Sequence, residues 1–344
     1  MHTNKWNALH AFSRMALLEV ENLCTEFRTK DGTVTAVDDV SFTIDKGERI
    51  GVVGESGAGK SVTGLSILQL VEYPGVITDD SSIRLNGEDL LAKSEDEMAS
   101  IRGNEIAWIP QDPLSSLNPT STIGEQIVET MRIHGYGDDE NDRRQRAISL
   151  LADVGIPDAA NRFDDYPSEY SGGMRQRVLI AMALSCEPSL IIADEPTTAL
   201  DVSTQAQIVN LLRDVTSNDT ALMVITHELG LVAELCERVM VLYAGTVAEK
   251  SDVAGIFDDP KHPYTKNLLK CSPHLTMGEE LNTIPGSMPV GSERPSGCQF
   301  HPRCSEAMEE CSVVEPELLP DGDGGEVACL LHTDQEYNMK VDQP

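Results

Sequence analysis

The sequence predicts an α/β fold built on a buried, mainly parallel sheet and followed by a smaller C-terminal extension. Short apolar runs alternate with helical patterns, as buried strands of such a sheet do, at residues 178–193, 221–226 and 238–243. A glycine-rich loop lies between the apolar run Ile50–Val53 and the apolar helical stretch Ser61–Leu70. After about Phe257 long apolar runs disappear, and Pro, Gly, Cys and acidic residues become more frequent. We therefore expect one large domain and an appended segment.

Composition and charge narrow the class of protein. The chain has 344 residues, of which 40% are hydrophobic, and this is enough for a sizeable core. Its 57 acidic and 26 basic residues give a formal net charge of −31, and so acidic a surface repels the phosphate backbone of nucleic acids. We therefore expect no nucleic-acid partner. The acidic residues are spread along the whole chain, which favours a halophilic protein, adapted to molar salt, over the alternative of an ordinary solvated surface.

Neither a membrane span nor a signal peptide is predicted. No apolar run reaches the length of about 18 residues that a span needs, and the Met1–Arg14 segment has no apolar core. We assign residues 1–15 to a leader that is either disordered or the product of an upstream start. The rest of the chain is expected to be cytoplasmic and to meet a membrane only through partner proteins.

The large domain is placed at residues 16–257, and its elements can be justified in order. Residues 16–53 alternate strand-like runs with turns, and the Asp31-Gly32 pair marks a hairpin, so an antiparallel β region is predicted. Apolar positions recur at helical spacing in Ile123–Met131 and Arg144–Val154. These patterns predict a helical subdomain inserted at about residues 112–178.

The glycine-rich loop matches the pattern GxxxxGK[ST] of phosphate-binding loops. Its glycines allow backbone N–H groups to surround a β-phosphate, and the following helix adds its dipole. Lys60 would neutralise β- and γ-phosphate oxygens, and the Ser61 hydroxyl would bind Mg²⁺. The alternative is a structural glycine-rich turn. The residues predicted to bind the nucleotide here are Gly54, Glu55, Ser56, Gly57, Ala58, Gly59, Lys60, Ser61 and Val62.

A pair of carboxylates ends the apolar run that starts at Leu190. The C-terminal ends of parallel strands are where α/β sheets bind ligands. We expect Asp194 to hold Mg²⁺ through water and Glu195 to act as the general base that activates a water molecule. Taken alone, the pair would be interpreted as a cap of the next element, which is the commoner role. Its position after a phosphate-binding loop favours the catalytic role.

Between these two motifs lies the segment Tyr170-Ser-Gly-Gly-Met-Arg-Gln-Arg177. Ser171 and the glycines open a helix whose N-terminus can face a phosphate. The segment resembles the signature of ABC cassettes, in the variant typical of peptide importers. The resemblance implies a P-loop NTPase fold of the ABC type, with a RecA-like core, an N-terminal antiparallel β region and an inserted helical subdomain. In that family Ser171, Gly172, Gly173 and Met174 would contact ATP held by a second subunit.

The same resemblance implies roles for further residues. Gln111 matches the Q-loop glutamine that senses Mg²⁺ and the γ-phosphate, and His227 matches the switch histidine. Asp201 ends the Thr198-Ala-Leu-Asp segment that matches the D-loop. Phe27 would stack on adenine, the alternative being a plain core residue. The implied catalytic residues are Glu195, His227 and Gln111, and the implied Mg²⁺ ligands are Ser61, Gln111 and Asp194.

The C-terminal extension is placed at residues 258–335, with a tail at 336–344. Its segments His262–Leu269, Ile284–Ser287 and Pro295–Cys304 resemble the extension of oligopeptide, dipeptide and nickel importer ATPases. Clustered cysteines in a cytoplasmic chain favour a metal centre, and this cluster lacks the CxxC pairs of zinc knuckles. The resemblance favours a [4Fe–4S] cluster. Zinc and reduced or disulfide-bonded cysteines are the alternatives for Cys298, Cys304, Cys311 and Cys329.

Taken together, the resemblance implies a subunit that hydrolyses ATP to drive import of di- or oligopeptides. The implied partners are a second ABC ATPase, expected to be a related but different chain, two membrane permeases and an extracytoplasmic solute-binding protein. The implied location is the cytoplasmic face of the cell membrane. The alternatives are the same role for nickel or sugars, or a soluble ABC ATPase of repair, translation or iron–sulfur assembly. The short interval between the nucleotide motifs has no heptads for the coiled coil of a repair ATPase.

Overall fold

The computed structural model describes residues 16–30, 32–198, 200–216, 219–272, 283–289, 291 and 294–332. The predicted leader and the 336–344 tail lie outside the described residues. Two sheets and a group of helices form the architecture. None of the helices in the described ranges is long and apolar enough to cross a membrane.

The smaller sheet is the predicted antiparallel region. Its strands run in the order β2-β1-β5-β6, with β4 also pairing with β1. Their bounds are β1 Leu18–Thr29, β2 Gly32–Ile44, β4 Gly75–Ile77, β5 Ser82–Leu85 and β6 Glu88–Asp89. The predicted hairpin is confirmed, since β1 and β2 pair antiparallel from Leu18 opposite Ile44. The strand β2 is continuous, although a register irregularity against β1 falls between Val37 and Val40.

The larger sheet has the order β12-β13-β11-β10-β3-β9-β8-β7. Its five strands from β10 to β7 pair in parallel, and the other three extend it antiparallel. Their bounds are β3 Arg49–Val53, β7 Ile106–Ile109, β8 Leu190–Asp194, β9 Ala221–Thr226, β10 Arg238–Tyr243, β11 Thr246–Asp252, β12 Leu319–Pro320 and β13 Glu326–Val327. The parallel arrangement brings the C-terminal ends of β3, β8 and β9 to one edge.

The apolar run at residues 178–193 is only partly a strand. Residues 178–184 belong to a helix that ends at Leu184, and the strand begins at Leu190. That helix is buried around most of its circumference, as Val178, Leu179 and Ile180 show. An all-round apolar helix has no amphipathic period, so its sequence cannot be distinguished from that of a buried strand.

Helices cover both sheets, and several of them follow one another in sequence between β7 and β8. This helical segment begins at Pro113 and ends with the helix that starts at Gly172, and its buried residues Ile127, Met131 and Leu151 belong to a core that it shares with strands of the larger sheet. Thr122 and Asp139 cap two of its helices by accepting hydrogen bonds from backbone N–H groups. The bounds are α1 Lys60–Ile67, α2 Glu95–Ile101, α3 Pro113–Ser116, α4 Ile123–Ile133, α5 Glu140–Asp153, α6 Ala159–Arg162, α7 Gly172–Leu184, α8 Val202–Val215, α9 Leu229–Leu235, α10 Val253–Asp258 and α11 Pro263–Lys270.

The described part of the extension shares its core with the large domain. β13 pairs with β11 at Val327 opposite Glu249, so the extension lengthens the sheet. The rings of Tyr264 and Phe300 pack on Tyr243 of β10, with centroids 4.6 and 5.1 Å from it. Short 3-10 turns at 301–303, 309–312 and 330–332 complete the segment. The extension therefore packs on β10 and β11, and β10 pairs with β3, the strand that leads to the glycine-rich loop.

Candidate functional site

The glycine-rich loop joins β3 to α1 at the C-terminal edge of the parallel sheet. Gly54 has φ +156°, and a Cβ there would lie 2.3 Å from the carbonyl oxygen of Leu242. Gly59 has φ +95°, and its Cβ would lie 2.3 Å from the carbonyl oxygen of Ala36. Only glycine fits these two positions, because both the backbone conformation and the space exclude a side chain. The loop borders a cleft of about 920 Å³.

Most of the predicted nucleotide-binding and catalytic residues line this cleft. Ala58 lies beneath the loop, fully buried, and Phe27 lies half-buried on β1 opposite Val34, away from the cleft walls. The adenine role of Phe27 stays a prediction. The predicted residues that line the cleft are Gly54, Glu55, Ser56, Gly57, Gly59, Lys60, Ser61, Val62, Gln111, Glu195 and His227.

Lys60 is the buried cation at the bottom of the cleft. Its ammonium group donates hydrogen bonds to the carbonyl oxygens of Gly54, at 2.8 Å, and Glu55, at 3.0 Å. Burial lowers the pKa of Lys60, while the nearby carboxylates of Glu195 and Asp194 act in the opposite direction. A desolvated ammonium held in this way is a strong partner for a phosphate oxygen.

Oxygen donors suited to Mg²⁺ lie beside Lys60. The Ser61 hydroxyl donates to Asp194 Oδ1 at 2.9 Å, and Gln111 lines the same cleft. Burial raises the pKa of Asp194, and the Ser61 hydrogen bond opposes that shift. Mg²⁺ prefers oxygen ligands and is held by few protein groups together with substrate phosphates. A hydroxyl, an amide and a carboxylate fit that requirement.

Glu195 is held by two neighbours at the end of β8. Its Oε1 lies 2.8 Å from His227 Nδ1, and its Oε2 accepts a hydrogen bond from the Thr198 hydroxyl at 2.8 Å. The backbone of Glu195 has φ +49°, in the left-handed region that non-glycine residues seldom adopt. Glu195 is buried, whereas the side chain of His227 is 55% exposed and faces the cleft. The predicted base and the predicted switch histidine are therefore in direct contact.

The signature residues and Asp201 meet each other away from this cleft. The Ser171 hydroxyl caps α7 by accepting from the N–H of Met174 at 3.3 Å, and Asp201 caps α8 by accepting from the N–H of Thr204 at 3.0 Å. A Cβ on Gly173 would lie 2.5 Å from Thr204 Cγ2. Gly172 faces open space. This arrangement leaves Ser171 and Gly172 exposed at the N-terminus of α7.

Residues of the extension also reach the cleft, which the sequence did not predict. The Glu55 N–H donates to Tyr264 Oη at 2.9 Å, and Arg303 donates to both Glu55 carboxylate oxygens at 2.7 and 3.0 Å. The extension residues that themselves line the cleft are Leu268, Cys271, Ser272 and Met288. Tyr264 and Arg303 lie inside two of the three segments that carried the resemblance of the extension, and this was the available signal.

The predicted iron–sulfur site is not supported. The four cysteines are free thiols, and the nearby Cys298, Cys304 and Cys311 add to the rise in the pKa of Cys329 to about 11, which is caused mainly by burial. Within the described residues, no group of three or more His, Cys, Asp or Glu side chains could hold a metal ion. The sequence spacing showed that the cysteines are close along the chain, but it could not fix the distances between their sulfur atoms. The described residues therefore give no support for the predicted [4Fe–4S] cluster.

Comparison with known proteins agrees with the geometry. The family described as "ABC transporter" matches residues 37–198, and the one described as "Oligopeptide/dipeptide transporter, C-terminal region" matches residues 248–311. The dipeptide transport ATP-binding protein DppD of Escherichia coli is 47% identical over 317 residues, covering 92% of this chain and 96% of that protein. The oligopeptide transport ATP-binding protein AppD of Bacillus subtilis is 48% identical over 322 residues, covering 93% and 98%.

Among solved structures, the dimeric post-hydrolysis state of the ATP-binding cassette MJ0796 with ADP and Pi superposes with a TM-score of 0.62. It is 26% identical and covers 69% of this chain and 98% of that one. The cassette fold is therefore confirmed. Nothing in these comparisons supports the interpretation of the acidic charge as adaptation to molar salt, which stays a hypothesis.

Proposed function

Because the chain belongs to the ABC transporter family of ATP-binding proteins, we propose that it hydrolyses ATP to drive the import of di- or oligopeptides through a membrane transporter. The observation that carries the ATPase part is the cleft in which Lys60 and Ser61 face the carboxylates of Asp194 and Glu195. The peptide part is supported by the match of the extension and by the names of the relatives, which are similar over nine-tenths of the chain.

The residues of the cleft divide the work of hydrolysis. Lys60 binds phosphate oxygens and offsets their charge. Glu195 accepts the proton of the attacking water, and its contacts with His227 and Thr198 orient the carboxylate toward the γ-phosphate. Mg²⁺, held by Ser61, Asp194 and Gln111 together with the triphosphate, would neutralise charge on the phosphates. No other base is required.

The proposed partners follow from what one chain leaves exposed. The N-terminus of α7 and Asp201 lie outside the cleft of their own chain, so a second cassette would complete each site. Val202, beside Asp201, is 73% exposed, and Leu114, beside Gln111, is 65% exposed. We assign Val202 to the contact with a related ABC ATPase and Leu114 to the contact with membrane permeases. The contact with permeases would place the chain at the cytoplasmic face of the membrane. A solute-binding protein would deliver the peptide.

Uptake of labelled peptide tests this proposal. Cells that lack the chain are expected to lose uptake of radiolabelled di- or oligopeptides and to regain it with the wild-type chain. Glu195→Gln should not restore uptake, whereas Glu72→Gln, an exposed carboxylate away from the cleft, should restore it. If cells that lack the chain lose uptake of labelled nickel or sugar but keep peptide uptake, the cargo is nickel or sugar instead of peptide, and the ATPase role stands. Intact uptake of all three would contradict the transport role.

A further inference from the structure

Glu55 places a negative charge in the loop that is proposed to hold a polyanion. Its side chain is 30% exposed, its backbone carbonyl oxygen accepts a hydrogen bond from the Lys60 ammonium group at 3.0 Å, and both residues line the cleft. An uncompensated carboxylate here would repel a triphosphate and compete with it for the ammonium group of Lys60. The loop therefore needs a cation of its own to cancel this charge before ATP binds.

Arg303, in the C-terminal extension, supplies that cation. Its side chain is only 5% exposed, and its two terminal nitrogens bond both oxygens of Glu55. The third nitrogen, Nε, donates to the carbonyl oxygen of Pro285 at 2.8 Å. The guanidinium also lies against the Tyr243 ring, 5.8 Å from its centroid. A planar fork fixed on every side suits a bidentate carboxylate contact, which a lysine could not reproduce.

Tyr264 holds the backbone of the same residue. Its hydroxyl accepts the Glu55 N–H, and its ring is fully buried against Tyr243 and Phe300. The extension thus fixes Glu55 at two points, one on the main chain and one on the carboxylate. Packing alone does not require these contacts with Glu55, because the rings of Tyr243, Tyr264 and Phe300 already belong to one core.

We infer that Arg303 is a positioning residue for ATP binding, acting from the extension through Glu55 on the phosphate-binding loop. It cancels the charge of the Glu55 carboxylate and turns it away from the phosphates, so the extension sets the ATP affinity of the cassette. This inference rests on the proposed function. Arg303 touches the loop and not the reacting atoms, so it affects binding of ATP and leaves the chemical step unchanged.

A double-mutant cycle on the full-length chain tests the inference. The dissociation constant of a fluorescent ATP analogue, and the KM and kcat of hydrolysis, are measured for the wild type, Arg303→Met, Glu55→Gln and the double variant. Arg303→Met leaves an unpaired, partly buried carboxylate and is expected to raise Kd and KM about tenfold with kcat within about twofold. The double variant has no charge to cancel and is expected to return Kd to within about threefold of the wild type.

Two further variants separate positioning from folding. Lys261→Met removes an extension cation that pairs with Asp259 and Asp323 and is expected to leave Kd unchanged. Arg303→Lys keeps the charge but not the fork, and Kd is expected to rise about threefold. If Arg303→Met does not fold, the measurements on Arg303→Lys decide the test.

The outcomes are distinguishable. Wild-type Kd and KM in Arg303→Met or Arg303→Lys, even with a lower melting temperature, would overturn the inference, since Arg303 would then be structural only. A double variant as weak as Arg303→Met would also overturn it, because the effect would not pass through Glu55. Failure of the wild-type chain to bind the ATP analogue would overturn the proposed function, and this inference with it.

Discussion

At Glu195 the backbone takes a left-handed turn that directs the carboxylate back toward His227 and Thr198. The side chain therefore leaves the end of β8 already paired on both oxygens. A base fixed in this way loses little freedom when water and ATP arrive. The neighbouring Asp194 continues the strand and reaches Ser61 instead. Two adjacent carboxylates thus serve different partners because the chain turns between them.

Replacing Glu195 by Gln is expected to stop hydrolysis and keep ATP binding. The amide can still bond Thr198 but cannot accept the proton of the attacking water. General-base contributions suggest that kcat falls by about 10² to 10⁴-fold. Phosphate release measures the loss, and the affinity for a fluorescent ATP analogue is expected to stay within about threefold of the wild type. Substantial residual turnover would assign the base to another residue.

At the scale of elements, the N-termini of α7 and α8 form a second surface apart from the cleft. Thr204 joins them, since it contacts Asp201 by two hydrogen bonds and lies against Gly173. A Cβ atom added to Gly172, by contrast, would have no neighbouring atom within 4 Å. Packing within one chain therefore does not explain why this residue is a glycine. A surface that is completed by a second cassette would explain it.

Gly172→Val separates folding from assembly. The position is helical and open, so the melting temperature of the isolated chain is expected to change little. ATP affinity of the isolated chain should also be unchanged. With the second cassette present, hydrolysis should fall at least about tenfold, because the valine would occupy the space of a phosphate at a helix N-terminus. Wild-type hydrolysis in the assembled complex would argue against a role of α7 across subunits.

At the scale of the whole molecule, His262 links the extension to the sheet. Its backbone N–H donates a hydrogen bond to the carboxylate of the buried Glu249 of β11, and its ring nitrogen Nδ1 accepts one from the backbone N–H of Tyr264. Burial lowers the pKa of His262 to about 3, below the ordinary 6.5. Between these values the unfolded chain binds a proton that the folded chain does not. The stability from this group is therefore fully present above the unfolded value and is lost as the pH falls toward the folded one.

His262→Asn is expected to flatten the acid side of the stability curve. Asparagine can still cap α11 but does not titrate in this range. As the pH falls from about 6 to 4, the free energy of unfolding of the wild type should decrease by up to about 1.4 kcal/mol per pH unit more than that of the variant. Melting temperatures across that range measure the difference, and all other titrating groups are shared. Parallel curves would show that His262 does not carry the linkage.

The sequence predicted the cleft well because its motifs are local. Glycines, Lys60 and Ser61 lie within one loop, and parallel strands necessarily bring Asp194 and Glu195 to the same edge. Contacts between distant segments were not predictable in this way. Nothing in a single sequence pairs Arg303 with Glu55, because the contact depends on how the extension packs against β10. The same limit applied to the sulfur distances in the cysteine cluster.

The pairing of Arg303 with Glu55 has a consequence for how the protein is made. The two residues are 248 positions apart. At about 5 to 20 residues per second, the ribosome adds Arg303 roughly 12 to 50 s after Glu55. Throughout that interval the phosphate-binding loop exists with its carboxylate unpaired, and β11 has not yet received β13. A nascent cassette would thus remain a poor ATP binder until Arg303 of the extension has been translated, so translation itself would withhold ATP binding from chains that lack the extension.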